Sequence, residues 1–367
     1  MAKKEYAFYP GCSSQAKSSA ANYLTSVNTM CDKLDIKLTE IPDWNCCGAS
    51  IGYAEGGELP RLAINARNFA LAEQHMPGKD IVATCAACWL GARETKERLD
   101  HTALLMKETN EALAAAGLNY QGKVEIRHMV EVLIEDLGYD AIKQPVVKPL
   151  DGLKIAGYVG CQTNRPFGIA GESFENPKYL DKFVEVLGAE PLEKYEQKVT
   201  CCGGALAFSE PEKSQKQIRD IVESALDHSA DLIVTPCPLC QANVEVYQSE
   251  INKKQGTKFN MPVVYYSQLM TVAYGGSAKD AALDGQLIRA DFHWRPPLVV
   301  EAFVYLALGL QRPFFGRLAL LDQALLLHLD QALLRRLRIQ CNALLAEQHL
   351  AQEAEGELQQ RDVVLRE

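Results

Sequence analysis

The chain has 367 residues and a formal net charge of −9, with 47% apolar and 23% charged residues. This length suffices for two globular domains of ordinary size, and the acidic balance argues against a nucleic-acid surface, which needs basic residues to neutralise phosphates. No run reaches the roughly 18–20 apolar residues of a membrane span, and the first residues lack the apolar stretch of a signal peptide. We therefore expect a cytoplasmic protein without a transmembrane segment.

Short apolar runs alternate with amphipathic stretches along the first half of the chain. "YAFYP" and "IKLTEIPDW" predict strands that lead to Cys12 and to the adjacent pair Cys46 and Cys47. "DIVATC" is typical of a buried strand and ends at Cys85. The stretches between these strands have the periodicity of helices, namely "SSAANYLTSVNTMCDKL" and "LPRLAINARNFALAEQH".

The second half repeats this order. "KIAGYVGC", "KVTCC" and "DLIVTPC" predict strands, and "PKYLDKFVEVLG" and "EKSQKQIRDIVESALDH" predict the helices between them. Strands that alternate with helices favour parallel sheets covered by helices. The predicted fold class is therefore α/β, with two similar domains that each contain a small parallel sheet.

Ten of the twelve cysteines form two sets of five with one pattern. The first set reads C-x33-CC-x37-C-x2-C and the second reads C-x39-CC-x34-C-x2-C, and corresponding members are 149, 155 or 152 residues apart. Such a repeat indicates an internal duplication, with domains at 1–150 and 151–290. The first set is Cys12, Cys46, Cys47, Cys85 and Cys88, and the second set is Cys161, Cys201, Cys202, Cys237 and Cys240.

Each of these cysteines lies at or just past the predicted carboxyl end of a strand. Parallel sheets bind ligands in the crevice beyond these ends, so we expect five thiols to converge on one crevice per domain. The glycine after each adjacent pair suits a tight turn that brings the backbone close to a bound group.

Three kinds of site are compatible with five thiols. Structural zinc takes four ligands, usually from two close CxxC pairs, whereas each set here has one CxxC and a fifth cysteine. A vicinal disulfide or plain buried thiols would leave the repeat unexplained. An iron–sulfur cluster is held by several thiolates, and adjacent cysteines reach different atoms of a large cluster more easily than one small ion.

The combination of CCG with an upstream cysteine and a downstream CxxC resembles the cysteine-rich CCG domain. Two copies on one chain, over about residues 5–290, resemble the B subunit of heterodisulfide reductase, and all ten motif cysteines are present. The resemblance implies two noncubane [4Fe-4S] clusters, one ligated by each set of five. It also implies partner proteins, an iron–sulfur protein like the C subunit of that enzyme and a flavoprotein like its A subunit.

The resemblance further implies an oxidoreductase of sulfur metabolism that cleaves or forms a disulfide or sulfane-sulfur bond between its two clusters. The completeness of both sets favours this function. The alternative is a CCG-domain electron-transfer subunit of a quinone-linked oxidoreductase of the lactate, glycerol-phosphate or succinate/fumarate type. The chain contains neither GxGxxG nor GxxxxGK[ST], so electrons would arrive from another protein.

Other candidates for the site are weaker. Cys31 and Cys341 lie in predicted helices with apolar faces, which is typical of buried structural thiols. His128 follows the strand pattern "VEIR" and is the one histidine whose position could place it at the crevice. No histidines are spaced as metal ligands.

The composition changes in residues 291–367. This segment has no Lys, eight Arg and nineteen Leu, and its pattern predicts a helical tail. Three explanations stay open: a helical extension that docks on a partner protein, a helix at a membrane surface, and a frameshift or sequence error.

Overall fold

Each half of the chain forms a four-stranded parallel sheet covered by helices. The computed structural model describes residues 4–15, 17–49, 57–169 and 171–290. The predicted tail, which includes Cys341, lies outside them. In the first half the elements are β1 (Lys4–Tyr9), α1 (Ala21–Lys33), β2 (Ile36–Glu40), α2 (Glu58–His75), β3 (Ile81–Ala83), α3 (Ala86–His101), α4 (Ala103–Ala114), β4 (Ile126–His128), α5 (Met129–Glu131) and α6 (Tyr139–Lys143).

The second half has the same succession of strands. A π-helical turn, Val132–Leu137, separates α5 from α6 and precedes this half. The elements are β5 (Lys154–Gly157), α7 (Tyr179–Val186), β6 (Glu190–Pro191), α8 (Pro211–Asp227), β7 (Leu232–Thr235), α9 (Pro238–Val246), α10 (Gln248–Gln255), β8 (Val263–Tyr265) and α11 (Tyr266–Ala273).

The strand order is equivalent in the two sheets. It runs β2-β1-β3-β4 in the first and β6-β5-β7-β8 in the second, and every pair is parallel. The central strands are buried on both faces, as in β3 and β7, where every residue is buried. The predicted α/β class with a parallel sheet in each half is confirmed.

One core lies between the two sheets, and each sheet has a further core on its other face. Along β3 the side chain of Val82 belongs to the shared core, whereas Ile81 and Ala83 belong to the outer core of the first half. Along β7, Val234 belongs to the shared core and Ile233 to the outer core of the second half. This is the alternation of a strand with both faces covered. Both sheets belong to one compact unit, and the predicted boundary near residue 150 stays a prediction.

One predicted strand is not where the sequence pattern indicated. Residues Lys198–Cys202 form a turn and extended loop, and the strand that pairs with β5 is Glu190–Pro191. The amides of Val159 and Gly160 nevertheless donate to the carbonyl of Lys198, at 2.9 and 3.0 Å. The loop is therefore held against the end of β5 without continuing a ladder.

The helices carry the apolar faces that their sequences predict. In α8 the side chains of Ile218, Ile221, Val222 and Ala225 are buried, at the spacing of one helical face. Among the described residues, no helix combines the length and apolar character that a bilayer span requires.

Candidate metal centres

The first set of cysteines comes from three loops at one edge of the first sheet. Cys12 follows β1, the pair Cys46 and Cys47 follows β2, and Cys85 follows β3. Cys85 immediately precedes the first residue of α3, and Cys88 lies in the first turn of that helix. Because parallel strands end at the same edge, residues far apart in sequence meet there.

The five thiols of the first set form a chain of neighbouring contacts. The sulfurs of Cys12 and Cys46 lie 3.5 Å apart. The pKa of Cys47 is shifted by Cys88 and Cys46, and that of Cys88 by Cys47 and Cys85, so these side chains are neighbours in the same order.

The second set forms the same chain of contacts. The pKa of Cys161 is shifted by Cys201, and that of Cys201 by Cys161 and Cys202. Cys202 contacts Cys240, and Cys240 contacts Cys237. The order of contacts is therefore the same in both sets, although the loops that connect the cysteines differ in length.

Each set is open to solvent at one end and closed at the other. Cys12 is exposed and Cys46 is half-buried, whereas Cys47, Cys85 and Cys88 are buried. The second set follows the same gradient, from the half-buried Cys161 and Cys201 to three buried thiols. All eleven cysteines in the described residues are free thiols. A group bound by either set would therefore be reached from the end formed by the upstream cysteine and the first cysteine of the adjacent pair.

Two glycines leave room for the buried sulfurs. A Cβ placed on Gly11 would lie 2.7 Å from the Sγ of Cys88, and one on Gly160 would lie 3.0 Å from the Sγ of Cys240. Both glycines have positive φ, 74° and 73°, which side chains disfavour. These positions therefore require glycine for two separate reasons.

Backbone hydrogen bonds fix the adjacent cysteine pairs. The amide of Gly48 donates to the Sγ of Cys46, and the amide of Gly203 donates to the Sγ of Cys201, both at 3.4 Å. Hydrogen bonds of this kind favour the thiolate and tune the potential of a bound cluster.

A buried tyrosine also supports each adjacent pair. The hydroxyl of Tyr9 donates to the carbonyl of Asn45 at 2.9 Å, and that of Tyr158 donates to the carbonyl of Thr200 at 2.6 Å. Each acceptor immediately precedes the pair, and each tyrosine lies three residues before the upstream cysteine. The signal for these tyrosines is present in the sequence, in the match of "EYAFYPGC" with "LKIAGYVGC".

The thiols perturb one another's acidity. The pKa of Cys47 is lowered, chiefly because Cys88 donates a hydrogen bond to it, and the same bond raises the pKa of Cys88. In the second set the pKa of Cys201 is lowered by the hydrogen bond from Cys161, whose own pKa rises. Five thiolates in contact would repel one another, so they coexist only beside a cation.

The donor chemistry of each set, five cysteine thiols from three loops, fits an iron–sulfur cluster. Among the described residues, no group of three or more His, Cys, Asp or Glu side chains is arranged around a single metal ion. The contacts run along a row of sulfurs, and thiolates are the ligands that such clusters use.

Two other candidates lie outside these sets. His128 is fully buried, and its pKa is lowered to about 3 by burial. Its ring caps the N-terminus of α5, with Nδ1 accepting from the amide of Val130 at 3.2 Å and Nε2 lying 3.1 Å from the carbonyl of Thr84. Cys31 is buried in α1, and burial raises its pKa. Both side chains are structural in this fold.

Comparison with known proteins shows the family to which the chain belongs. The model of the cysteine-rich domain CCG matches residues 6–91 and 155–245. The 8-methylmenaquinol:fumarate reductase membrane anchor subunit of Wolinella succinogenes is 36% identical over 290 residues, which is 78% of this chain and 98% of that protein. The chain belongs to the CCG domain family, with two copies of the domain.

Further relatives carry names from heterodisulfide reductases. The B subunit of the ferredoxin/F(420)H(2)-dependent CoB-CoM heterodisulfide reductase of Methanosarcina acetivorans is 30% identical, over 70% of this chain and 85% of that protein. A heterodisulfide reductase B-like protein of Archaeoglobus profundus is 29% identical, over 74% of this chain and 91% of that protein. These relatives support a redox subunit, and they leave its specific role open.

A solved structure shares the fold. The crystal structure of a hypothetical protein from Helicobacter pylori superposes with a TM-score of 0.63 at 18% identity, over 79% of this chain and 53% of that one. At this identity the likeness concerns the fold alone.

Proposed function

We propose that each set of five cysteines binds one iron–sulfur cluster and that the chain is the electron-transferring subunit of a larger oxidoreductase. The observation that carries this proposal is that five cysteines gather at one sheet edge in each half with the same gradient of exposure, and that a glycine of positive φ lies beside the sulfur of Cys88 or Cys240. Bound iron–sulfur clusters take up and release single electrons. The protein supplies the ligands, closes the buried end of each set and leaves the other end accessible.

The same proposal assigns the ligands and the kind of cluster. Five cysteines per set exceed the four that an ordinary [4Fe-4S] cluster takes, which supports the noncubane type. The ligands would be Cys12, Cys46, Cys47, Cys85 and Cys88 for the first cluster, and Cys161, Cys201, Cys202, Cys237 and Cys240 for the second.

Of the two roles that the sequence suggested, the quinone-linked one has the stronger support. The fumarate reductase protein of Wolinella succinogenes matches over nearly its whole length and at higher identity than the heterodisulfide reductase proteins. In this role a quinol would supply two electrons and two protons for each fumarate reduced to succinate, and this chain would carry the electrons between partner proteins. The partner proteins would bind the quinol and the fumarate.

Disulfide chemistry is the second candidate, and the presence of all ten cysteines favours it. Each cluster would accept one sulfur of the substrate, and two electrons with two protons would convert the disulfide into two thiols. Its partners would be the C-like iron–sulfur protein and the A-like flavoprotein, and its location the cytoplasm.

Metal analysis tests the proposal that the clusters exist. The full chain, purified without oxygen, should contain roughly eight iron atoms with matching sulfide and little zinc. Cys47→Ser and Cys202→Ser should each lose about half of the iron. The matched control is Cys31→Ser, a buried cysteine outside both sets, which should lose none. Stoichiometric zinc without iron would overturn the proposal.

Spectroscopy then separates the two roles. In the disulfide role, adding thiols to the oxidised protein should change the EPR spectrum of the clusters, because a substrate sulfur binds there. In the quinone-linked role, thiols leave the spectrum unchanged, and the assembled complex transfers electrons from a reduced quinol analogue to fumarate. A complex that reduces a disulfide and leaves fumarate untouched would contradict the quinone-linked role.

A further inference from the structure

One tyrosine hydroxyl touches both CxxC loops. The hydroxyl of Tyr23 lies 3.1 Å from the carbonyl of Thr84 and 3.1 Å from the carbonyl of Pro236. Thr84 immediately precedes Cys85, and Pro236 immediately precedes Cys237. The two acceptors are thus equivalent positions of the two CCG domains, although they lie 61 and 213 residues from Tyr23 in sequence.

The side chain of Tyr23 is held rigidly between the domains. It has no solvent exposure, and its ring stacks on Tyr265 with ring centres 4.0 Å apart and planes 8° apart. Tyr265 belongs to the second domain, so the stack itself joins the two domains. Burial is the main cause that raises the pKa of Tyr265, and the nearby Cys237 and Cys85 raise it further. The contacts of Tyr23 with the carbonyls that precede Cys85 and Cys237 place the aromatic pair beside the buried ends of the two cysteine sets.

The helix that carries Tyr23 is fixed to the second domain by polar contacts as well. The hydroxyls of Ser26 and Ser267 lie 2.7 Å apart in the buried interface between α1 and α11. The hydroxyl of Thr271 donates to the carbonyl of Ser26 at 3.2 Å. Satisfied hydrogen bonds between buried side chains make a core rigid. The ring of Tyr23 consequently has one position relative to both loops.

A phenol has one proton, so its hydroxyl donates a shared hydrogen bond to the two carbonyls. The carbonyl of Thr84 has a second neighbour, the ring of His128 at 3.1 Å. Loss of the hydroxyl would remove one donor from each carbonyl, and the carbonyl of Thr84 would keep the ring of His128 as its neighbour. A weakened hydrogen bond to a buried carbonyl is unfavourable. A displacement of either loop lengthens one half of the shared bond, which makes the positions of the two loops interdependent.

We propose that Tyr23 is a positioning residue that fixes the two CxxC loops, and through them the two metal centres, at one separation. The link between the loops stands on the contacts alone, and the link between clusters rests on the proposed function. Its consequence is that electron transfer between the centres would proceed over a constant distance.

Amide hydrogen exchange on the full chain tests the coupling of the loops. The amide of Trp89 donates to the carbonyl of Cys85 at 2.9 Å, and the amide of Gln241 donates to the carbonyl of Cys237 at 3.0 Å. Tyr23→Phe should speed exchange in residues 85–89 and 237–241 together, by roughly tenfold, which corresponds to one lost hydrogen bond. Faster exchange in one loop only, or in neither, would overturn the proposal.

The matched control is Tyr120→Phe. Tyr120 is buried in the outer core of the first domain, and its hydroxyl has no hydrogen-bond partner in the described part of the chain. This variant should leave both loops unchanged. Incorporation of p-aminophenylalanine at position 23, which offers two protons and preserves the ring, should restore slow exchange in both loops. Continued fast exchange in this variant would contradict the role of the shared hydrogen bond.

A second readout concerns the clusters. In the iron-loaded Tyr23→Phe protein, iron content should match the unsubstituted chain, while the magnetic interaction between the two centres in EPR should become weaker or more heterogeneous. A protein that never binds iron would defeat the proposed function, and the exchange experiment would still decide whether Tyr23 couples the loops. An unchanged magnetic interaction in iron-loaded Tyr23→Phe would show that Tyr23 does not set the separation of the two centres.

Discussion

The two cysteine sets are alike in their ligands and different in what supports them. In each set a glycine of positive φ lies beside the sulfur of the last cysteine. In each set a tyrosine hydroxyl also donates to the carbonyl that precedes the adjacent pair. The supporting contacts diverge. The carbonyl of Cys47 accepts from Asn65 on α2 at 3.1 Å, whereas that of Cys202 accepts from Asn243 on α9 at 2.7 Å.

A second difference concerns the backbone two residues before the upstream cysteines, Cys12 and Cys161. In the first domain Pro10 precedes Gly11 and has no amide to donate. In the second domain the equivalent amide, of Val159, donates to the carbonyl of Lys198. The ammonium group of Lys198 is paired with Asp181, and the two side chains are only 2% and 7% exposed.

The two domains therefore share the positions of their cysteines, whereas the side chains that hold the cysteine loops in place differ. Hydrogen bonds and burial around the sulfurs set the reduction potential of a cluster. Cys12 is exposed and its counterpart Cys161 is half-buried. We therefore expect the two clusters to differ in potential although their ligands are the same.

The largest expected effect concerns the buried ion pair of Lys198 and Asp181, which has no counterpart at this place among the described residues of the first domain. Lys198→Met leaves the buried charge of Asp181 with the half-exposed Lys178, at 3.3 Å, as its remaining partner and should lower the free energy of unfolding by about 3 kcal/mol. Denaturant unfolding of the full chain measures this loss. Lys216→Met, at a lysine that is 75% exposed and paired with Asp220, is the control and should cost under about 1 kcal/mol. Equal losses in the two variants would refute the special role of Lys198.

Gly11 and Gly160, which lie beside the sulfurs of Cys88 and Cys240, test how closely the two sets match. Gly11→Ala and Gly160→Ala should each cost about 1–2 kcal/mol for the positive φ and about 1–3 kcal/mol more for the overlap with sulfur. Gly11→Ala should be the worse, because its Cβ would come closer. Gly117→Ala, with φ of 68° and no atom of the described residues within 4 Å of its Cβ, isolates the cost of φ. If all three variants lose the same free energy of unfolding, the overlap with sulfur does not contribute to the loss.

Acid should affect the first domain through His128, for which the second domain has Tyr265 at the equivalent helix cap. Burial lowers the pKa of His128 to about 3, against about 6.5 in the unfolded chain. The unfolded state therefore binds the proton first, so this contribution is complete above pH 6.5 and is lost as the pH falls towards 3.

Between pH 6.5 and 5 the loss should reach about 2 kcal/mol. His128→Asn, which keeps a capping side chain, should flatten this part of the profile in unfolding measurements. His101→Asn, at an exposed histidine, should leave the profile as it is. If the free energy of unfolding of His128→Asn still falls steeply between pH 6.5 and 5, other titratable groups cause the loss.

The smallest expected effect concerns the two tyrosines that support the adjacent pairs. Tyr9→Phe and Tyr158→Phe each remove one hydrogen bond and should cost about 1 kcal/mol. The cost should be greater for Tyr158, whose bond is shorter, at 2.6 Å against 2.9 Å. Tyr139→Phe, which removes a hydroxyl without a partner in the described residues, should change stability less than either. A greater loss of stability in Tyr9→Phe than in Tyr158→Phe would show that the length of the hydrogen bond does not set its contribution.

Much of the fold was predictable because its signals are local. The apolar runs of β3 and β7 and the helical periodicity of α8 depend on neighbours within a few residues. The strand predicted at Lys198–Cys202 was wrong, since the ladder partner of β5 is set by pairing across the chain. The preference of that stretch for extended backbone is met by a loop instead.

The sequence alone determined the two domains' shared pattern and their candidate ligands, because spacing and residue type are written along the chain. Only the tertiary structure decided which sulfurs are neighbours, which end of each set is open and which hydroxyl joins the two CxxC loops. Tyr23 has no motif and lies in an ordinary helix. Its contacts arise because the packing of α1 against the second domain brings together carbonyls that are 152 residues apart in sequence.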